Sequence, residues 1–227
     1  MDGFDMERTP RRSFLTRLAG GTLALAASGL AAIRVEAAPR SDADSPWDDS
    51  WMARIKGKHR QVFDAMEVNS GFPLVMTDIW LMTNHDAYNI PESQLSAVTV
   101  LRHSAIPMTL NDAVWAKFKL GEMFSVTDPL TSKPAERNVF ATAKDFAIPP
   151  FPSSSIEKLR ERGVIFCACN MALLHYSGIA GEKIGMTKDA AYQEWVAGLL
   201  PGVYKVASGV LAVGRAQDRE CRYCNVT

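Results

Sequence analysis

The sequence predicts an α/β fold built on a mostly parallel sheet of about five strands. Two observations lead to this prediction. Short β-branched runs alternate along the chain with helical patterns, and such alternation is typical of a parallel sheet. The clearest run is Leu95 to Leu101, Leu-Ser-Ala-Val-Thr-Val-Leu. Its residues are apolar at nearly every position, as in a strand that is buried on both faces.

The other elements follow from local patterns of the same kind. Pro73, just after Gly71-Phe72, suits the first turn of a helix running toward Tyr88. Thr109-Leu110-Asn111-Asp112 is a helix start with potential capping side chains, and Gly121 is expected to stop that helix. The predicted strands are 58–65, 95–101, 164–168, 203–206 and 221–226. The predicted helices are 73–88, 109–120, 154–162, 171–176, 188–200 and 208–217.

Composition limits the classes of protein that the chain can belong to. With 227 residues, of which 47% are hydrophobic and 22% charged, one globular domain is expected. The formal net charge is +0, so the sequence lacks the basic footprint of a nucleic-acid-binding protein. Beyond residue 40, charged and polar residues interrupt every apolar run before it reaches the roughly 18 residues that a membrane-spanning helix needs. We therefore expect no nucleic-acid partner and no stable membrane insertion.

The first 37 residues have the pattern of an export signal. Arg11-Arg12-Ser13-Phe14-Leu15 precedes a weakly apolar stretch from Leu18 to Ile33, and small residues suited to a signal peptidase end at Ala37. The segment resembles a twin-arginine signal peptide. This resemblance implies export through the twin-arginine translocase and a periplasmic location. The alternatives are an ordinary basic signal and an uncleaved N-terminal anchor.

Two further segments are predicted to lack regular structure. Residues 38–57 are a polar linker that is expected to dock through Trp47 and Trp51. A loop at about 125–155 contains five prolines, and a loop of this length is commonly a lid or an assembly contact. Trp115 and Phe118 have either core packing or a subunit interface as their ordinary role, and their adjacent positions on one helix favour an assembly contact.

Chemistry is expected where the predicted strands end. In parallel α/β sheets, ligands bind beyond the carboxyl ends of the strands. Three such ends carry polar or nucleophilic side chains, and they should converge on one edge of the sheet. Cys169 is the candidate nucleophile, because backbone N–H groups at a strand-to-helix junction stabilise a thiolate. The candidate ligand-binding residues are Arg102, His103, Asn170 and Ser208.

The remaining cysteines are assigned structural roles. Cys167 is expected to be a small buried hydrophobe. Cys221 and Cys224 are expected to form a structural disulfide or clamp, because they lie too close to the end of the sequence for a redox helix. The alternative is a bridge from one of them back to Cys167 or Cys169, since four cysteines allow three full pairings. A zinc site of four thiolates is the rival possibility, but one arm has Cys-x-Cys spacing instead of a Cys-x-x-Cys knuckle. No metal and no cofactor is predicted.

Cys169 itself has two open interpretations, a reactive thiol and a packed thiol of no chemical consequence. The glycines at 178, 181 and 185 match no phosphate-binding fingerprint. They are expected to end a helix and shape a turn.

Four phrases of the sequence resemble a known family, in that family's order. They are Val98-Thr-Val-Leu-Arg-His103, Leu110-Asn-Asp-Ala-Val-Trp-Ala-Lys117, Gly163-Val-Ile-Phe-Cys-Ala-Cys-Asn170 and Gly202-Val-Tyr-Lys-Val-Ala-Ser-Gly-Val210. Over about residues 58–226 the chain resembles the DsrE-like sulfur-relay proteins. The resemblance implies three α/β/α layers, assembly as a trimer or hexamer, and, in some members, a persulfide on the cysteine that follows the third strand.

Cys169 matches the position of that cysteine. The expected function is therefore to bind or relay a small sulfur species through Cys169. The alternative is a non-catalytic oligomeric scaffold or small-ligand-binding protein of the same fold.

Overall fold

The computed structural model describes residues 47–144, 146 and 154–227. They belong to one compact unit, Ser41–Thr227. The predicted signal peptide, residues 1–37, and the first part of the predicted linker lie outside the described residues. No helix in the described part is long and apolar enough to cross a membrane.

The sheet has five strands, and all of its pairings are parallel. The strands are β1 (His59–Ala65), β2 (Leu95–Leu101), β3 (Ile165–Cys169), β4 (Val203–Val206) and β5 (Arg222–Asn225), in the order β4-β3-β2-β1-β5. β2 is buried at all seven positions because it lies at the centre of the sheet. β5 pairs with β1 at the opposite edge from β4, so the chain crosses the whole sheet between its last two strands.

Helices cover both faces of the sheet and produce three α/β/α layers. They are α1 (Phe72–Tyr88), α2 (Asp112–Phe118), α3 (Leu120–Met123), α4 (Ile156–Glu161), α5 (Asn170–Lys183), α6 (Lys188–Ala197) and α7 (Gly209–Asp218). Helices α1 through α6 pack against one face of the sheet, and together they form one buried apolar cluster. A second cluster joins α7 with the other face.

Side chains of the predicted kind start several helices. Asn111 accepts a hydrogen bond from the Val114 backbone N–H at 3.1 Å, and Ser208 accepts one from that of Leu211 at 3.1 Å. These bonds satisfy N–H groups that have no partner within the helix. The predicted helix at 109–120 starts later and is interrupted, since Lys119 takes a left-handed conformation with φ 50° between α2 and α3. Gly121 therefore lies inside α3 and is not a helix stop.

α5 extends seven residues beyond the predicted end at Tyr176, because two of the expected stop glycines lie inside it. A Cβ atom at Gly181 would lie 2.6 Å from the Cβ of Ala191 on α6. Gly181 thus permits the close packing of α5 against α6, and only Gly185, with φ 74°, lies in the following turn. The prediction failed because local sequence does not reveal that a second helix packs on the first.

The predicted linker is partly folded. Ser50–Arg54 form a 3-10 helix, where no regular structure was expected. Trp51 is 1% exposed and packs in the cluster beneath α7, and Trp47 lies over the ammonium group of Lys205, with 5.4 Å between that nitrogen and the ring centroid. Docking through these two tryptophans is confirmed. The packed unit begins before residue 58 because Trp51 contributes to its core.

The described residues of the 125–155 loop form no helix or strand. They are ordered by side-chain bonds, since Asp128 accepts from Arg137 at 2.7 and 3.1 Å. The Asn138 amide donates to two backbone carbonyls, those of Met108 and Leu110. Trp115 and Phe118 are fully buried in the core. The interpretation of those two aromatic residues as an assembly contact is therefore wrong, because Trp115 is 0% and Phe118 only 3% exposed to a partner.

Candidate functional site

A pocket of about 300 Å³ lies at the carboxyl ends of β2, β3 and β4. After β3 the chain turns into α5 on one face of the sheet, and after β4 it turns into α7 on the other. The two connections diverge and leave a crevice between them, as at the switch point of other open α/β sheets. The polar and nucleophilic residues that line it are Arg102, His103, Cys169, His175, Tyr176 and Ser208.

Cys169 ends β3 and is the N-cap residue of α5. Its side chain makes no capping hydrogen bond, and the residue is 6% exposed at the wall of the pocket. The first N–H groups of a helix are unpaired and carry the positive end of its dipole. Cys167, two residues earlier, is fully buried, and burial raises the pKa of its thiol far above the ordinary value. Cys169 is thus the cysteine of this strand that a small molecule in the pocket can reach.

Arg102, which follows β2, is fixed by a buried carboxylate. Its Nε and Nη2 donate to the two Asp64 oxygens at 2.6 and 2.9 Å, and the Tyr223 hydroxyl donates to the same carboxylate at 3.0 Å. The pKa of Arg102 is raised, chiefly by the bond to Asp64, with smaller contributions from Tyr223 and Cys169. Since Asp64 occupies Nε and Nη2, Nη1 has no partner among the described residues and remains available as a donor.

Gly209 holds the Arg102 side chain from the other side. A Cβ atom at position 209 would lie 2.6 Å from the Arg102 Cβ and 2.7 Å from its Cδ. These separations are shorter than real Cβ contacts, so only glycine fits without displacing the arginine stem. The first residue of α7 therefore helps to set the position of a side chain that follows β2.

His103 and Tyr176 form an aromatic wall of the pocket. Their rings meet edge to face with centroids 5.8 Å apart, and the His103 Nε2 lies 3.4 Å from the Tyr176 hydroxyl oxygen. His175 packs against the same tyrosine at 4.8 Å. Burial raises the pKa of Tyr176, so its hydroxyl stays protonated at neutral pH. His103 also has φ 49°, a left-handed conformation that is uncommon outside glycine and that occurs often at functional sites.

The other two predicted ligand-binding residues differ in position. Ser208 lines the pocket while its oxygen caps α7. Asn170 is buried and is not a pocket-lining residue, since its side-chain oxygen accepts a hydrogen bond of 2.6 Å from Tyr192. Lys205 in turn donates to the Tyr192 hydroxyl at 3.3 Å. Asn170 therefore ties the start of α5 to α6 and β4, and its predicted ligand-binding role has no support from its position.

The predicted Cys221–Cys224 disulfide is not formed, and all four cysteines are free thiols. Residues 222–225 form β5, and three steps along an extended strand place the two Cα atoms about 10 Å apart. A disulfide requires less than about 7 Å. Cys221 packs in the cluster beneath α7, and burial raises the pKa of its thiol to about 11. In the described part of the chain, no group of three or more His, Cys, Asp or Glu side chains is placed to hold a metal ion.

Sequence reasoning missed four residues of the site. Asp64 gave a usable signal, because it is a lone carboxylate within the apolar end of a predicted strand. His175 and Tyr176 lie one helical turn after Met171 and Ala172, and that spacing would place them on the same face once α5 was known to begin at Asn170. Tyr223 gave no signal, since its approach to Asp64 depends on β5 pairing with β1.

Comparison with known proteins adds little to the geometry. No protein-family model and no curated protein matches the chain significantly. One similar solved structure is that of a protein of unknown function from Methanobacterium thermoautotrophicum, with 19% sequence identity and a TM-score of 0.38. The similarity covers 74% of this chain and 98% of the other.

Proposed function

We propose that the protein accepts a sulfur atom from a small persulfide or polysulfide on Cys169 and passes it to an acceptor. The observation that carries the proposal is the placement of Cys169, a helix N-cap without a capping bond, in a pocket with Arg102 and two histidines. The resemblance to DsrE-like sulfur-relay proteins implies the same cysteine. At about 300 Å³, the pocket lies at the lower end of the range for small-molecule sites, which favours a small donor.

The transfer step needs no redox partner. The Cys169 thiolate attacks the outer sulfur of a donor R–S–SH, a new S–S bond forms, and the donor's own S–S bond breaks. Its electron pair leaves with the donor as the thiolate R–S⁻, so the products are the Cys169 persulfide and R–S⁻. The reverse step onto an acceptor thiolate releases the sulfur.

The surroundings of Cys169 suit the charges that this step moves. The unpaired N–H groups at the start of α5 and the Nη1 group of Arg102 can donate hydrogen bonds to an anionic sulfur. Because Asp64 balances the charge of Arg102, the arginine contributes directed donors more than net positive charge. His103 and His175 line the same pocket, and a ring N–H of either can donate a hydrogen bond to the leaving thiolate.

Sulfur uptake by the purified protein tests the proposal. The protein is reduced, freed of reductant, incubated with polysulfide and analysed by intact-mass and peptide mass spectrometry. We expect a gain of one sulfur atom on the Cys169 peptide and none on that peptide in Cys169→Ser. The matched control is Cys224→Ser, because Cys224 is a more exposed thiol outside the pocket; it should keep the Cys169 adduct. The relay is contradicted if the peptide that contains position 169 gains sulfur equally in the wild type and in Cys169→Ser, or if it gains none in either protein.

A second candidate, a non-catalytic subunit of an assembly, is favoured by the mouth of the pocket. Four large apolar side chains are exposed there or on the adjoining helix faces: Met171 and Leu174 on α5, and Val210, 70% exposed, and Leu211 on α7. Exposed apolar residues grouped around a pocket are typical of a covered surface. We propose a second copy of this chain as the cover, in line with the trimers or hexamers of the resembled family. A light-scattering mass equal to one chain at micromolar concentration would contradict this assembly.

The twin-arginine resemblance implies that this chemistry takes place in the periplasm. Cell fractionation tests that location, and replacing both Arg11 and Arg12 with lysine should leave the protein in the cytoplasm. An oxidising compartment would also favour disulfides over free thiols. Cys221 and Cys224 are held too far apart by β5 to bridge each other there.

A further inference from the structure

A second cavity, of about 440 Å³, lies at the same edge of the sheet but next to β1. It opens between the β1–α1 connection, at Val68 to Ser70, and parts of the long loop near Phe124 and near Phe140. The cavity and the Cys169 pocket share no lining residue. They are separated by Phe124 and Tyr176, whose ring centroids are 5.1 Å apart.

The inner wall of the second cavity is apolar. It consists of Val68, Val126, Val139, Phe140 and Phe146, and each of these side chains is buried in the fold. The cavity opens to solvent at its polar rim, so water occupies it when no ligand is bound. Water molecules that lie against these five side chains find no hydrogen-bond partner on them. An apolar molecule that displaces this water is therefore favoured.

The described residues at the rim of the second cavity are polar but uncharged. The rim residues Asn69, Ser70, Ser125 and Thr127 carry only amide and hydroxyl groups. No ionisable side chain is present among the described residues that line the cavity. Among these described lining residues, a charged ligand would find no ion-pair partner to offset its lost hydration. The lining selects an uncharged molecule with an apolar body and one or two hydrogen-bonding groups.

The backbone of the rim is held in an uncommon conformation. Asn69, Ser70 and Ser125 have φ values of 37°, 52° and 55°. Left-handed conformations at residues other than glycine are costly and concentrate at functional sites and ligand clamps. Three of them on one rim, contributed by two separate segments, are an observation independent of the cavity's size.

We propose that the second cavity is a binding site for an uncharged, mostly apolar small molecule, distinct from the Cys169 pocket. The bound molecule packs its apolar body against the buried valines and phenylalanines, and its polar group contacts the amide and hydroxyl rim. Its position next to Phe124 places it one aromatic ring from Tyr176. The site does not depend on sulfur chemistry.

Methyl NMR of the whole chain, with indole and 1-naphthol as the probes, tests this site. We expect saturable shifts confined to the Val68, Val126 and Val139 methyl signals, with a Kd of about 0.1–1 mM for molecules of this size. The anionic 1-naphthalenesulfonate should bind at least about tenfold more weakly than 1-naphthol, because the described lining residues offer no charge partner. Absence of saturable shifts, or equal binding of the sulfonate, overturns the proposal.

Two variants locate the binding. Thr127→Trp places a large ring at the rim and should weaken indole binding about tenfold or more. Leu130→Trp is the matched control, since Leu130 is exposed in the same loop and does not line the cavity. This variant should bind indole with the wild-type affinity. If Thr127→Trp does not fold, Val139→Leu narrows the cavity by one methylene, and about threefold weaker binding is expected. Indole binding that is unaltered by the rim or cavity variants overturns the assignment. Cys169→Ser should bind indole normally, so failure of sulfur relay leaves this test intact.

Discussion

Replacing Asp64 with asparagine should lower the free energy of unfolding by about 3 kcal/mol and slow the reaction of Cys169 with a thiol probe. Asp64 is 4% exposed and pairs with both Nε and Nη2 of Arg102. Breaking a buried ion pair on one side leaves the other charge without compensation. The loss should lie at the lower end of the usual range, because the Arg102 side chain keeps 22% exposure and can reach water.

The slower reaction of Cys169 follows from a change in the position of the Arg102 side chain. An arginine that is no longer fixed by Asp64 samples several rotamers, so its Nη1 group spends less time where it can donate to an anionic sulfur. Tyr223 can still donate to the amide oxygen that the Asp64→Asn substitution leaves at this position. The substitution therefore removes the ion pair with Arg102 and keeps the hydrogen bond from Tyr223. Urea denaturation measures the stability, and the second-order rate of alkylation measures the thiol.

Asp128→Asn is the matched control for this prediction. Asp128 is buried to a similar degree and pairs with Arg137 through two hydrogen bonds of 2.7 and 3.1 Å, but the pair lies in the 125–155 loop. Stability should fall in both variants, whereas the alkylation rate should fall only in Asp64→Asn. Equal alkylation rates in the two variants would mean that the Asp64–Arg102 pair has a structural role alone.

The centre of the sheet was predictable because β2 and β3 are encoded by apolar local patterns, whereas β1 and β5 contain several polar residues. β2 and β4 have the predicted bounds, and the other three strands differ by one residue at one or both ends. Apolar β-branched runs give this signal without knowledge of their neighbours. The helix errors have the opposite origin, because Gly121 and Gly181 act as stops in a local pattern but are packing positions in the fold.

The candidate site was predictable to the extent that it follows from strand ends. Arg102, His103, Cys169 and Ser208 each follow or end a recognised strand, and parallel strands bring such residues to one edge. Asp64 and Tyr223 were missed because their contact with Arg102 requires the strand order β2-β1-β5. Strand order depends on crossovers that span the sheet, and no short stretch of sequence encodes it.

The substitution Gly209→Ala gives the sharpest test of that long-range packing. Helix propensity alone predicts a gain, since alanine is favoured over glycine within helices by about 1 kcal/mol. The structure predicts the opposite, because the added methyl group would overlap the Arg102 stem, with 2.6 Å to its Cβ. Overpacking of this kind costs about 1–3 kcal/mol. Arg102 would also shift away from Asp64, so Cys169 alkylation should slow as it does in Asp64→Asn.

Gly214→Ala, on the same helix, separates propensity from packing. A Cβ atom at Gly214 has nothing within 4 Å, so this variant should be as stable as the wild type or more stable by about 0.5–1 kcal/mol. Urea denaturation of the two variants should therefore give changes of opposite sign. If both variants are stabilised, α7 can move away from Arg102 at little cost, and the position of the arginine depends on Asp64 alone. If Gly209→Ala alone is destabilised and its alkylation slows, the start of α7 and the end of β2 position Arg102 jointly beside Cys169.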